Sequence, residues 1–202
     1  PAANGGERAE VSITGSMGGA GRGGAGGART PMGLELRFTM GRGDHGLYTY
    51  AIFSHAANSG PGSVGESRFG TKLNSQVFDW LSVDDQRNLK MPTGHDWDQG
   101  IELNLKEVRR LTTGEFKGKV EHKYDYCADL FDTPAFGWGS THDKLGLYVI
   151  NPSMEFLGGG PTHVELTCHL DDGDGADPTI LDYWRGTHYG GSECSIPANE
   201  AW

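Results

Sequence analysis

Gly33-Leu34-Glu35-Leu36-Arg37-Phe38-Thr39-Met40 alternates apolar and polar side chains, the period of a half-buried β-strand. His45-Gly46-Leu47-Tyr48-Thr49-Tyr50-Ala51-Ile52-Phe53 resumes that alternation in part. Further short strands are expected at 66–73, 77–83, 116–126, 145–150, 163–169 and 179–185. Turn-rich stretches such as Asn58-Ser59-Gly60-Pro61-Gly62 and Asp171-Asp172-Gly173-Asp174-Gly175 separate them. Helical periodicity is weak, and Ile101–Leu111 reads as one alternating strand. Many short strands between Gly, Pro and Asp turns predict an all-β sandwich or barrel. No repeat of fixed period points to a propeller or β-helix.

The 202 residues suffice to bury a core without a disulfide scaffold. No apolar run approaches the length of a membrane-spanning helix. Against 17 Lys+Arg stand 27 Asp+Glu, a net charge of -10 that disfavours nucleic acid. A smaller anion in a local basic cleft is still compatible with it. Cys127, Cys168 and Cys194 form no C-x-x-C pair, which argues against a zinc knuckle or thioredoxin motif. One disulfide and one free thiol would suit a secreted protein, without a choice of pair. The opening at Pro1 and the close at Ala201-Trp202 read as a piece of a longer protein. Residues 1–30 include a Gly-rich run from Gly15 to Gly27 and are expected to be flexible, leaving 31–202 as the β domain. That run lacks the Lys-Ser/Thr pair of a phosphate loop.

Four stretches hold residues suited to chemistry. In Gly65-Glu66-Ser67-Arg68-Phe69-Gly70-Thr71-Lys72-Leu73, strand alternation puts Glu66, Arg68 and Lys72 on one face. Such a face binds a carboxylate, or is simply a solvated surface paired with its own glutamate. In Glu121-His122-Lys123-Tyr124-Asp125-Tyr126, a strand would set Lys123 and Asp125 against Tyr124 and Tyr126 on the other face. A lysine among aromatics and cations loses its proton more readily; an exposed edge lysine is the plainer reading. His188 follows a strand in a Gly-flanked aromatic stretch suited to stacking sugars, or is one structural histidine among eight. Asp171 to Asp177 looks like a calcium loop, but counting from Asp172 the twelfth position is Tyr183, not the required Glu. A structural calcium is therefore not indicated.

Residues from about 40 to 202 resemble the catalytic domain of rhamnogalacturonan lyases of polysaccharide lyase family 4. The resemblance rests on Gly-Leu-Tyr-Thr-Tyr-Ala-Ile-Phe (46–53), Gly-Glu-Ser-Arg-Phe (65–69) and Asp-Asp-Gln-Arg-Asn-Leu-Lys-Met-Pro (84–92). Lys-Tyr-Asp-Tyr (123–126), Gly-Trp (137–138), Ile-Asn-Pro-Ser-Met-Glu-Phe-Leu-Gly-Gly-Gly-Pro (150–161) and Thr-His-Tyr-Gly-Gly (187–191) follow in the same order. The Gly-rich start lies outside it.

The resemblance implies a β-supersandwich like that of galactose mutarotases, incomplete at both ends, from a secreted enzyme. It implies β-elimination in the rhamnose–galacturonate backbone of pectin, with no cofactor required for catalysis. Lys123 falls on the family's base, His188 on its acid, and Arg68 on the arginine that neutralises the uronate carboxylate. Lys72 stands where some members have a second arginine, losing the bidentate fork. Tyr183 matches an aromatic flanking the site, Tyr189 is carried over as a second substrate-binding residue, and Leu181 replaces a tyrosine of some members. The expected partner is the rhamnogalacturonan chain, bound by a monomer, with no nucleic acid and no membrane.

Cations at the carboxylate would stabilise the charge that grows there as the neighbouring proton leaves. A lysine base reaches a working pKa only through burial and nearby cations, and a histidine can protonate the leaving oxygen. Two other readings stay open. A hydrolase would need two carboxylates, for which Glu66, Asp125 and Asp182 are available. A non-catalytic sugar-binding or mutarotase-like β domain would use the same aromatic content.

Overall fold

The computed structural model describes residues 5–17, 32–103, 107–153, 163–170, 177–188 and 194–201. The fold is all-β, as the alternation predicts: seventeen strands and a single α-helix among the described residues. The chain divides into two compact units, Pro1–Gly65 with Glu193–Trp202, and Glu66–Ser192.

In the first unit, β1 (Arg8–Met17), β2 (Met32–Gly41) and β3 (Tyr48–Ser54) form an antiparallel sheet in that order. β1 lies within the segment read as flexible. Pairing with β2 along ten residues, Arg8↔Gly41 to Met17↔Met32, satisfies its backbone where its own side chains bury little. The remainder of the Gly-rich run falls outside the described residues. β4 (Gly62–Val64) pairs with β17 (Cys194–Ile196), and Met32, Val64 and Ile196 make a small core with Phe53 and Cys194. Buried His55 sits between the carbonyls of Gly60 and Glu200, a structural histidine.

The second unit is a small β-sandwich. One sheet has the order β13 (Gly146–Ile150), β12 (Ala135–Gly139), β6 (Trp80–Ser82), β7 (Asn88–Lys90). The other runs β15 (Cys168–Leu170), β16 (Pro178–Arg185), β5 (Ser67–Lys72). Leu81, Phe136 and Trp138 pack against Cys168, Leu170, Ile180 and Leu181 between the two. The Trp138 indole donates to the Thr179 carbonyl at 3.1 Å, so this large side chain is buried without an orphaned N–H. Cys127, Cys168 and Cys194 form no disulfide, and burial raises the pKa of Cys168.

Three expected elements differ. The segment 101–111 is two antiparallel strands, β8 (Ile101–Glu102) and β9 (Val108–Arg110), rather than one. Within 116–126 only β10 (Val120–His122) is extended, after turns at Gly114 and Gly118, both with positive φ; Lys123–Tyr126 is a 3-10 turn. The helix α1 (Gly94–Asp98) was not expected, although Thr93 and Asp96 stand at capping-box spacing and bond reciprocally. At five residues it is too short for an apolar period to show. The remaining strands, β11 (Cys127–Asp129) and β14 (Val164–Leu166), pair with each other beside the turn.

Candidate active site

The side chains that could act lie in the second unit, where β5, β16 and the 3-10 turn converge. On β5 exposure alternates, and Arg68 and Lys72 are both exposed, as period two requires. Arg68 lies across from Tyr183 and Lys72 from Thr179 on β16. The register then slips: Arg185 opposes Ser67, and Trp184 is the extra residue of a bulge. Its ring rests 5.4 Å from that of Phe69. Next comes Gly186 with φ of 83°, a conformation that a side chain would strain. Bulge and turn together bend the chain so that His188 comes back over β5.

His188 is held there from behind. Its backbone N–H donates to Glu165 Oε2 at 3.0 Å, a carboxylate with no exposed surface. His163 Nε2 is 3.5 Å from Glu165 Oε1 and 3.0 Å from the hydroxyl of buried Thr187. The imidazole has polar groups at both nitrogens: Arg68 Nη1 at 3.1 Å from Nδ1, and the Tyr124 hydroxyl at 3.2 Å from Nε2. Glu66 Oε1 accepts from Arg68 at 3.0 Å and stands 3.6 Å from His188 Nδ1.

Lys123 reaches the same group from the 3-10 turn. Such a turn separates successive side chains by about 120°, not the 180° of a strand, so Lys123 and Tyr124 are neighbours and not on opposite faces. Lys123 Nζ lies 5.5 Å from the Tyr124 ring centroid, and its side chain is only 11% exposed. Its partner is Glu107 Oε1 at 3.0 Å, an anion where a cation was expected. The Tyr124 hydroxyl also lies close enough to Glu107 to help hold that carboxylate ionised. One network therefore runs Arg68–Glu66–His188–Tyr124–Glu107–Lys123.

Both carboxylates in it stay ionised. Burial opposes the charge on Glu66, but the hydrogen bond with His188 and the charges of Arg68, His188 and Lys123 outweigh it and hold its pKa below the ordinary value. For Glu107, burial is likewise outweighed by the bond and charge of Lys123, by Tyr124 and by His188. Tyr183 is 1% exposed, so its ring is core and not a platform for a sugar. Burial, then the charges of Glu165 and Glu66, raise its pKa against the pull of Arg68, so it stays a phenol beneath the arginine. Lys72 stands farther along β5, about 13 Å from Arg68 at the usual rise per residue. Tyr189 lies outside the described residues.

The carboxylates proposed for hydrolysis are scattered. Asp125 is exposed and faces His122. Asp182 is largely buried and accepts from Asn151 at 3.1 Å, with its pKa pushed up to about 6 by burial against a backbone hydrogen bond. Glu165, His163, Glu107 and Tyr124 had not been singled out for roles here. Only the position of Tyr124 beside Lys123 hinted at one.

The model of the rhamnogalacturonate lyase family matches residues 3–120, more than half of the chain. The chain belongs to that family. No curated protein and no solved structure matches it. The match includes the Gly-rich start, which the resemblance had left outside, and it contains Arg68, Lys72 and Glu107. Lys123 and His188 lie beyond its end. What joins them to the lyase family's matched stretch is the hydrogen-bonded network itself.

Proposed function

We propose that this rhamnogalacturonate lyase family member cleaves the rhamnose–galacturonate backbone of rhamnogalacturonan by β-elimination within the chain, as a secreted monomer needing no cofactor. Arg68 takes the galacturonate carboxylate, Lys123 in its amine form removes the proton on the adjacent C5, and His188 in its imidazolium form protonates the departing O4. Lys72 binds farther along the polysaccharide. Negative charge grows on the uronate as the proton leaves, and a guanidinium already in place lowers the barrier without reorganising.

The observation that carries this reading is that Arg68, Lys123 and His188, distant in sequence, share one network whose carboxylates are both paired with cations. The pairing weighs against hydrolysis, because a glycosidase needs one carboxyl group that still holds a proton. Glu66 and Glu107 are both kept ionised. A binding module would have no need for a nearly enclosed lysine in one polar network with a histidine.

Incubation with rhamnogalacturonan tests it. The expected result is ultraviolet absorbance from the new conjugated double bond, lost in Lys123→Ala and His188→Ala. New reducing ends without absorbance would establish hydrolysis, and binding without either product would establish a binding module.

A further inference from the structure

Elimination leaves the two reacting groups in the wrong states for another cycle. Lys123 holds the proton taken from C5, and His188 lacks the one given to O4. One proton must travel from the first to the second. Both side chains are mostly enclosed, 11% and 18% exposed, and a polysaccharide in the cleft would exclude water further.

The structure contains a connection between them. Lys123 Nζ donates to Glu107 Oε1 at 3.0 Å, the Tyr124 hydroxyl lies close enough to Glu107 to favour its ionised form, and that hydroxyl is 3.2 Å from His188 Nε2. Tyr124 also packs on the imidazole, with ring centroids 5.7 Å apart. Resting on the lyase reading above, we propose that Glu107 and Tyr124 return the proton from Lys123 to His188 after each cleavage.

The steps balance. When Arg68 turns to the substrate carboxylate, the acid form of His188 carries a hydrogen on Nδ1 toward Glu66, and the nitrogen emptied by elimination is Nε2, the one Tyr124 faces. The Lys123 ammonium passes a proton to Glu107. Glu107 then protonates the Tyr124 oxygen as the phenolic proton moves to His188 Nε2. The end state is a lysine amine, a glutamate carboxylate, a phenol and an imidazolium, with no proton gained or lost. Tyr124 acts through His188 and not on the sugar. A hydroxyl suits this place because it can accept and donate at one atom.

Steady-state cleavage by the full chain and by Tyr124→Phe, measured at rising concentrations of imidazole, tests the relay. Loss of a proton-transfer group predicts a rate roughly tenfold or more below wild type at low buffer, with KM little changed. Imidazole should recover most of that deficit, because a diffusing base can carry the missing proton, while wild type stays insensitive. Glu107→Gln should show the same buffer-dependent recovery and carries the test if Tyr124→Phe does not fold. A deficit that imidazole leaves untouched in both variants, or no deficit in either, would overturn the relay. A wild-type chain that forms no unsaturated product would overturn the lyase reading instead.

Discussion

Arg68 Nη1 lies 3.1 Å from His188 Nδ1, although 120 residues separate the two. A guanidinium can only donate, so Nδ1 accepts from it only when bare, and a protonated Nδ1 instead faces Glu66 Oε1, 3.6 Å away. Glu66 Oε1 stands 3.0 Å from the same guanidinium nitrogen, Nη1. A galacturonate carboxylate would replace these internal partners and draw Arg68 away from His188.

The consequence for Arg68 is a loss in the transition state more than in binding. Arg68→Ala should lower kcat/KM by about 2–4 kcal/mol, on the scale of one removed oxyanion donor. Arg68→Lys should recover part of it, with the charge kept and the fork lost. Lys72→Ala should mainly raise KM. Steady-state kinetics on rhamnogalacturonan check all three, and an Arg68→Ala enzyme with unchanged kcat would remove the clamp.

Glu165 should matter for both stability and activity without touching substrate. It is fully buried and accepts the His188 amide. Glu165→Ala leaves that N–H without its acceptor and should cost about 1–3 kcal/mol in chemical denaturation, with a parallel fall in kcat. Glu165→Gln keeps an oxygen for the amide and should restore part of both.

Glu121 makes stability depend on pH in the direction opposite to an ordinary ion pair. Burial, with a smaller contribution from Asp125, raises its pKa to about 7 from 4.5, against the hydrogen bond that Tyr126 donates at 2.5 Å. As pH rises through that window, the unfolded chain releases a proton that the folded chain still holds. Stability from this group is thus full below the window and falls across it, by on the order of 3 kcal/mol. Glu121→Gln keeps an acceptor for Tyr126 and should remove the loss. Denaturation at the two ends of the window should show the variant gaining on wild type as pH rises; equal pH slopes would contradict this.

Gly137 admits no side chain. A Cβ there would meet the Leu147 carbonyl oxygen and lie 2.7 Å from Tyr148 Cα, both backbone atoms of the neighbouring strand β13. Gly137→Ala should force β12 and β13 apart and destabilise the second unit by about 1–3 kcal/mol, the usual cost of overpacking. A lower thermal midpoint, with Trp138 fluorescence shifted to the red, would report it.

Local pattern by itself determined the class of fold and where several of its strands run. Leu34 to Met40 lies in β2, 66–73 contains β5, and 179–185 lies in β16, because alternation is a one-dimensional consequence of which face meets the core. The shared face of Arg68 and Lys72 was legible for the same reason. The strand Arg8–Met17 was obscured by the glycine-rich residues beside it and exists through its pairing with β2. Nor does period two reveal where a strand stops: the turn at Lys123–Tyr126 put Lys123 beside Tyr124 and not opposite it. The partners Glu107, Glu165 and His163 were decided by tertiary structure alone. Each is ordinary in its local sequence and acquires a role only when the bulge at Trp184 and the turn at Gly186 carry His188 back over β5. Hydrogen bonds between distant segments leave no periodic trace in a chain, and the site is built from such bonds.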